Sequence, residues 1–125
     1  MKICPKDEMV NAAGTRLDPS PWIELSQDRI NTFADCTEDH QFIHIDEKKA
    51  AQTPFGGTIA HGFLTLSMLF KLAENCMIIP ENLAMGMNYG FDKVRFLVKM
   101  GVSVEIEGEE TPALVAEWLN LFVAA

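Results

Sequence analysis

The sequence has little positive charge. Its ten lysine and arginine residues are outnumbered by eighteen aspartate and glutamate residues, which gives a formal net charge of −8. Proteins that hold a nucleic-acid backbone carry a basic field because they must neutralise phosphates. We therefore expect no nucleic-acid partner. Charged residues make up 22% of the chain and hydrophobic residues 48%, a composition that excludes global disorder.

Cysteine is also scarce, and its placement carries no metal or disulfide signature. The three cysteines, Cys4, Cys36 and Cys76, form no C-x-x-C pair and no zinc-like spacing with histidine. Their odd number and wide spacing favour free thiols in a reducing compartment. We expect a cytoplasmic protein with no metal site.

The sequence pattern predicts neither a targeting segment nor a membrane-spanning helix. Residues 1–14 contain two lysines but no apolar run of seven or more residues, so they do not resemble a secretory signal. The most apolar stretch, from Ile59 to Ile79, includes His61, Lys71 and Glu74, which are costly inside a bilayer. This pattern predicts a buried helix and no association with a membrane.

The length of 125 residues and the mass of 13.9 kDa are those of one domain. No internal repeat, low-complexity tract or linker divides the sequence. We predict a flexible N-terminal arm over residues 1–14 and a single domain over residues 15–125.

Helical patterns occupy the first part of the chain. Ser26 is a typical N-cap residue, and Ile30 and Ala34 lie on one face of the helix that follows it. Asp46 is expected to cap a second, short helix that ends before Pro54, because proline disfavours helical geometry in the preceding residue. The stretch 60–76 is apolar on nearly all sides and predicts one long, enclosed helix.

Alternating apolar and polar residues dominate the rest and predict antiparallel strands. The segments are Trp22–Leu25, a weaker one at Leu83–Asn88, and then Phe91–Met100, Val102–Glu107 and Ala113–Val123. Helices that are followed by antiparallel strands indicate the α+β class, with a helix packed on a sheet.

Asp39 and His44 are the first pair of candidate catalytic residues. They lie five residues apart in a polar stretch between two helical patterns, where a loop can turn both side chains into one cleft. In such a cleft, a carboxylate and an imidazole can act as general acid and general base near neutral pH. The alternative is a solvated loop in which the aspartate caps a turn. His40 and Asp46 compete for the same roles, although helix capping explains Asp46.

The segment FGGTIAHG at 55–62 is the second candidate. Glycines at the start of a buried helix leave backbone amides free and let a ligand approach the chain closely. This pattern predicts an oxyanion or substrate-binding site that involves Gly57, His61 and Gly62. The alternative is that the glycines only permit tight packing and that His61 is a hydrogen-bonded structural histidine.

Together these residues form a string that resembles a known family. TEDHQFIHIDEKKAAQTPFGGTIAHGFLTLSML is similar to the signature of the MaoC-like dehydratases, which include (R)-specific enoyl-CoA hydratases and nodulation-protein-N-like proteins. NYGFDKVRFL and PALVAEWL also resemble that family, so the likeness covers most of the chain from about Trp22. It implies a hot-dog fold, in which an antiparallel sheet wraps around a long central helix, and a homodimer or a higher oligomer of dimers.

The resemblance also implies roles for individual residues. Asp39 and His44 match the family's catalytic dyad, with His44 activating water at C3 of a 2-enoyl thioester and Asp39 taking part in proton transfer at C2. Gly62 matches the residue whose backbone amide binds the thioester oxygen. Coenzyme A is then part of an acyl-CoA substrate, and no cofactor is required. Many members carry Asn-Pro between the two catalytic residues, whereas this chain has His-Gln-Phe-Ile at 40–43.

The implied activity is (R)-specific hydration of trans-2-enoyl-CoA and the reverse dehydration. Two alternatives stay open, namely a non-catalytic acyl-thioester-binding subunit of the same fold and an acyl-CoA thioesterase. Lys93, Arg95 and Lys99 lie on one face of a predicted strand and are candidate contacts for the phosphates of coenzyme A, because a local basic row can bind phosphate despite a negative total. The simpler interpretation of this row is a solvated strand face.

The resemblance makes the chain length a problem. A hot-dog sheet needs about five or six strands, close to the size of an average sheet. Relatives carry a further strand-rich stretch where this chain passes directly through residues 99–101. Either the chain has lost about two strands or the sequence omits them. We favour omission, because a lost sheet interior would expose the apolar face of the helix.

Overall fold

The computed structural model describes residues 1–96, 102–104, 107–108, 110 and 114–124. The chain forms two compact units. The first, called here the helical unit, is Trp22–Met68, and the second, called the sheet unit, combines Met1–Pro21 with Leu69–Ala125. Helices and antiparallel strands are both present, so the predicted α+β class is confirmed.

The helical unit contains four helices. They are α1 (Gln27–Thr37), α2 (Phe42–Ile45), α3 (Glu47–Ala50) and α4 (Gly62–Ser67). Ser26 caps α1 as predicted, because its hydroxyl accepts a hydrogen bond from the backbone N–H of Arg29 at 3.4 Å. Ile30 and Ala34 are buried on the inner face of this helix, where the i and i+4 spacing places them.

The cap of α3 is also confirmed. One carboxylate oxygen of Asp46 accepts a hydrogen bond from the backbone N–H of Lys49 at 3.0 Å, and the other lies 3.3 Å from the ammonium of the same residue. Ala50 is fully buried at the end of this single turn. The chain then turns through Pro54 to Gly56, whose φ of +71° is a conformation that glycine adopts without strain.

The long helix predicted over 60–76 is wrong, because two short helices occupy this stretch. Helix α4 ends at Ser67, and α5 (Leu69–Ala73), which belongs to the sheet unit, follows Met68. The hydroxyls of Thr65 and Ser67 donate to the carbonyls four residues earlier. The apolar pattern of the sequence does not indicate the interruption between α4 and α5.

Among the described residues, no helix is long and apolar enough to cross a bilayer. All three cysteines are free thiols.

The main strands of the sheet unit are β3 (Leu83–Arg95), β4 (Val102–Val104) and β5 (Leu114–Ala124), which follow the short strands β1 (Lys2–Cys4) and β2 (Ile78–Pro80). Strand β5 is central and pairs antiparallel with β3 on one side and β4 on the other. The two segments predicted at 83–88 and from 91 onward are therefore one continuous strand up to Arg95. The remainder of the predicted Phe91–Met100 strand lies outside the described residues.

Regular structure is present near the N-terminus. Within residues 1–14, for which we predict a flexible arm, β1 pairs in parallel with β2, and Lys6–Ala12 forms a 3₁₀ helix. The backbone N–H of Lys2 also donates a hydrogen bond to the carbonyl of Met77 at 2.9 Å. The sequence pattern does not predict this contact. The strand predicted at Trp22–Leu25 is wrong, because this segment forms no strand, and Trp22 is exposed.

Candidate active site

Three side chains that can transfer protons or bind metals meet within the helical unit. One donor or acceptor atom from each of Asp39, His44 and His61 lies within 4.8 Å of the others. His44 is 7% exposed and His61 is 3% exposed, whereas Asp39 is half-buried. The structure therefore brings the predicted pair Asp39 and His44 together and adds His61 to them.

The loop that carries Asp39 follows directly from the end of α1. Glu38 adopts a left-handed conformation with φ of 59° after Thr37, which ends the helix. Two residues beyond Asp39, α2 begins after Gln41, whose carbonyl accepts the backbone N–H of His44 at 3.0 Å. A helix end and a single helical turn thus place the carboxylate and the imidazole side by side.

The tautomer of His44 follows from its hydrogen bond. Its Nδ1 lies 2.7 Å from the carbonyl oxygen of Ile59, and because a carbonyl can only accept, Nδ1 carries the proton and donates it. The Nε2 atom then holds the free lone pair. The backbone N–H of Ile59 also donates to the carbonyl of Ile43 at 3.0 Å, so the two segments are joined on both sides of Ile59. His44 is held with its basic nitrogen available.

Sequence patterns missed a second support of His44. The side-chain amide of Gln27 donates to the carbonyl of His44 at 2.7 Å and to the Oδ1 of Asn31 at 2.9 Å. The hydroxyl of Thr58 donates to the other end of the same amide at 2.6 Å. Gln27 thereby ties α1 to both segments that surround the imidazole. No local signal marks it, because its partners lie 17 and 31 residues away.

The imidazole ring of His61 is held by a hydrogen bond at its edge and by ring contacts at its face. Its Nε2 lies 3.0 Å from the backbone carbonyl of Asp39, so this nitrogen carries the proton and donates it. Its ring stacks on His44 with 3.8 Å between ring centres and 25° between planes, and Phe33 lies 5.0 Å away in a tilted contact. The Nδ1 atom is buried and has no hydrogen-bond partner among the described residues.

Two histidines and a carboxylate are a donor set that can bind a transition metal. A histidine binds an ion in the plane of its ring at about 2.0–2.1 Å. The rings of His44 and His61 lie face to face, 3.8 Å apart at their centres, so one ion cannot lie in both planes at that bond length. The arrangement is suited to proton transfer and not to shared metal coordination.

The two glycines predicted to bind substrate differ in their surroundings. A side-chain Cβ placed on Gly57 would meet nothing within 4 Å, so packing does not require a glycine there. Gly62 is the first residue of α4, and its N–H is among the backbone donors that a helix leaves without an intrahelical partner. The N–H of Gly62 therefore needs a partner from outside α4, and it lies immediately after His61 in the sequence.

The competing residues lie outside the cluster. His40 is exposed and its Nε2 lies 2.9 Å from a carboxylate oxygen of Asp35, while Asp46 caps α3. The charged row is in the sheet unit, where Lys93 and Arg95 are exposed on β3 and Lys93 stands opposite Glu117 in the strand register. Lys99 lies outside the described residues.

Comparisons of this chain with family models and with individual proteins identify the same family. The MaoC like domain matches residues 8–112. Nodulation protein N of Rhizobium meliloti (strain 1021) is 41% identical over 142 positions, which cover 91% of this chain and 88% of that protein. 3-hydroxyacyl-thioester dehydratase Z of Mycobacterium tuberculosis (strain ATCC 25618 / H37Rv) is 36% identical over 144 positions, which cover 94% of this chain and 95% of that protein.

The alignments are longer than the aligned part of this chain. In the comparison with nodulation protein N, 91% of 125 residues is about 114 residues, so about 28 of the 142 positions have no counterpart here. The same calculation for dehydratase Z leaves about 26 of the 144 positions unmatched. Both relatives contain a similar amount of additional sequence.

A solved structure shares the fold. The crystal structure of a monoamine oxidase regulatory protein from Archaeoglobus fulgius matches with a TM-score of 0.61 at 20% identity, and the match covers 88% of this chain and 90% of that chain. Because the family match spans most of the sequence, it includes the segment that holds Asp39, His44 and Gly62. The chain belongs to the MaoC-like dehydratase family.

Proposed function

We propose that this protein catalyses the reversible, (R)-specific hydration of trans-2-enoyl-CoA to (R)-3-hydroxyacyl-CoA, as a homodimer of hot-dog domains. The observation that carries the proposal is the tautomer of His44. Its Nδ1–H is held by the carbonyl of Ile59 at 2.7 Å, which leaves Nε2 as a base beside the carboxylate of Asp39. A fixed base next to a second proton-transfer group is what addition of water to a double bond requires.

In the hydration direction, Nε2 of His44 removes a proton from a water molecule as the water oxygen bonds to C3 of the enoyl thioester. Electrons of the double bond shift toward the thioester oxygen, and the proton taken from water passes from His44 through Asp39 to C2, so that both side chains return to their starting protonation states. The product gains one hydroxyl and one hydrogen, so the atoms of one water molecule are accounted for. Dehydration follows the same steps in reverse.

The N–H of Gly62 is proposed to stabilise the negative charge that develops on the thioester oxygen. A donor placed before the reaction needs no reorganisation as that charge forms. Proton transfer and this stabilisation account for the whole reaction, so the proposed chemistry uses no metal and no redox cofactor. The name of the mycobacterial relative specifies a 3-hydroxyacyl thioester, and extending that substrate class to this chain is part of the proposal.

The test is the loss of conjugated-enoyl ultraviolet absorbance when the purified protein is given crotonyl-CoA. We expect Asp39→Asn and His44→Gln each to lower kcat by about 10²–10⁴-fold, the usual contribution of a positioned acid or base. His40→Gln is the matched control, because it makes the same substitution at an exposed histidine in the same loop. It should retain wild-type turnover.

The same assay separates the alternatives. Binding of the thioester without loss of absorbance, over a panel of chain lengths, would favour a non-catalytic binding subunit. Release of free thiol, followed with a thiol reagent, would indicate a thioesterase. Crotonyl groups carried on acyl carrier protein and on coenzyme A, compared by kcat/KM, would identify the carrier, and a preference for acyl carrier protein would contradict the coenzyme A part of the proposal.

A further inference from the structure

We propose that His61 is a positioning residue that holds both members of the dyad at once. This inference rests on the proposed function, since it concerns the same pair, Asp39 and His44. The sequence suggested a role for His61 in binding substrate or oxyanion. At 3% exposure, however, the side chain is enclosed by the protein, and its contacts are made with the two residues that perform the proposed chemistry.

The two contacts of His61 use different parts of the ring. The edge donates a hydrogen bond from Nε2 to the backbone carbonyl of Asp39 at 3.0 Å, which fixes the loop that carries the carboxylate. The face lies on the imidazole of His44 with ring centres 3.8 Å apart, which restricts rotation of that ring about its χ angles. One side chain therefore contacts both the loop that carries the carboxylate and the ring of the base.

Packing alone does not explain a histidine at this place. The space beside Phe33 and His44 accommodates an aromatic ring, and a phenylalanine would fill it without burying a polar atom. Histidine instead leaves Nδ1 buried without a partner among the described residues, and an unpaired buried polar atom destabilises a fold. What histidine supplies beyond an apolar ring is the Nε2 donor to Asp39.

His44 has two further supports, so loss of His61 should displace it without removing it. The carbonyl of Ile59 holds Nδ1 at 2.7 Å, and Gln27 holds the backbone carbonyl at 2.7 Å. The expected damage is a small error in the geometry of the dyad. Errors of about 1 Å in an active site lower the rate by on the order of 10²-fold, because reacting atoms must be aligned.

Three variants of His61 separate the two contacts. His61→Gln retains an amide donor near the position of Nε2 and loses the ring, whereas His61→Phe retains the ring and loses the donor. His61→Leu loses both. We expect His61→Leu to lower kcat on crotonyl-CoA by about 10²-fold with KM changed less than about twofold, and the other two variants to retain intermediate activity. His40→Gln remains the control.

A spectroscopic readout tests the inference without turnover. The chain has three histidines, so long-range proton–nitrogen correlation spectra of the rings can be assigned with single variants. We expect wild-type His61 to be the Nε2–H tautomer and wild-type His44 the Nδ1–H tautomer. In His61→Leu, the His44 signals should move toward those of exchanging tautomers, and thermal melting should verify that each variant is folded.

The outcomes are distinct. If wild-type protein leaves the enoyl-CoA substrates of every chain length unchanged, the proposed function fails, and the His44 spectra alone decide whether His61 positions that ring. If folded His61→Leu has wild-type kcat, or if its His44 spectrum is that of the wild type, the positioning role is overturned. Should His61→Leu not fold, His61→Gln and His61→Phe decide the question by the same two measurements.

Discussion

At the scale of single residues, the carboxylate of Asp46 caps a helix and makes the stability of that helix depend on pH. The hydrogen bond from the backbone N–H of Lys49 lowers the pKa of Asp46 below its ordinary value of 3.8, and the side-chain ammonium of Lys49 acts in the same direction. Both interactions favour the ionised carboxylate in the folded chain. Asp46 also begins α3 directly after the segment that holds His44.

This lowered pKa makes part of the stability pH-dependent. Because the pKa is lower in the folded state, the stabilisation is complete above about 3.8 and is lost as pH falls through the folded value. Asp46→Asn should therefore melt below the wild type at pH 7, and the difference in Tm should shrink below about pH 4. Thermal melts from pH 7 to pH 3 measure this difference in Tm. Asp18→Asn, the same substitution at an exposed aspartate, is the control. A difference that stays constant across this range would contradict the effect.

The residues of the candidate site differ in how predictable they were. Asp39 and His44 were predicted as a pair because their chemistry and their spacing are visible in a short polar stretch. The hydrogen bond and the ring stack of His61 were not predicted, because they depend on how the chain folds between residues 39 and 61. Gln27 was missed for the same reason, since an ordinary helical glutamine gives no sign of partners far along the chain.

At the scale of elements, the start of α4 combines helix geometry with the proposed chemistry. Gly62 occupies the first helical position, where a backbone N–H has no partner inside the helix. The preceding residue, His61, has φ of −57° and ψ of 135°, which is the extended geometry required before a proline. Proline is favoured at a first helical position, so this element can accept it.

Gly62→Pro is therefore expected to remove the proposed oxyanion donor while leaving α4 in place. Loss of one such donor lowers kcat by about 10²–10³-fold, because the developing charge on the thioester oxygen is no longer stabilised. Gly62→Ala is the matched control, since it adds a side chain and keeps the N–H. Initial rates on crotonyl-CoA and thermal melts of both variants provide the measurement. Equal activity of the two folded variants would mean that the Gly62 N–H does not bind the thioester oxygen.

Elements whose ends depend on local bonds were predicted well. Ser26 and Asp46 start helices where their side chains can reach a backbone N–H three residues later, and that information lies within one turn. The division of the helix at Met68 was not foreseen, because every residue around it is compatible with a helix. Trp22–Leu25 failed as a strand because an alternating pattern does not supply the neighbouring strand with which it must pair.

At the scale of the whole molecule, the connection between β3 and β4 is unusually short. Strands β3 and β4 lie on opposite sides of β5 and run parallel to each other, with Val94 and Val102 both paired with Ala116. Connections between parallel strands usually need a dozen or more residues. Only residues 96–101 separate β3 from β4 in the sequence. Residues absent from this connection would account for the short sheet.

We expect the natural protein to contain about 28 further residues between Arg95 and Val102, close to residues 99–101. This number is the shortfall against nodulation protein N, and at the average residue mass of this chain it corresponds to about 3 kDa above 13.9 kDa. Protein isolated from its source and cleaved after acidic residues distinguishes the two cases. A continuous chain yields the peptide from Lys93 to Glu105, whose ends follow Asp92 and include Glu105.

Detection of that junction peptide in the natural protein would show that the chain has lost the segment. The proposed hydration of crotonyl-CoA would then have to be carried out by a chain without these residues. Absence of the peptide, together with fragments that begin at Lys93 and continue into a different sequence, would show that the sequence omits the segment. We favour omission because two strands removed from the interior of a sheet leave apolar surface exposed to water, which favours association and lowers solubility.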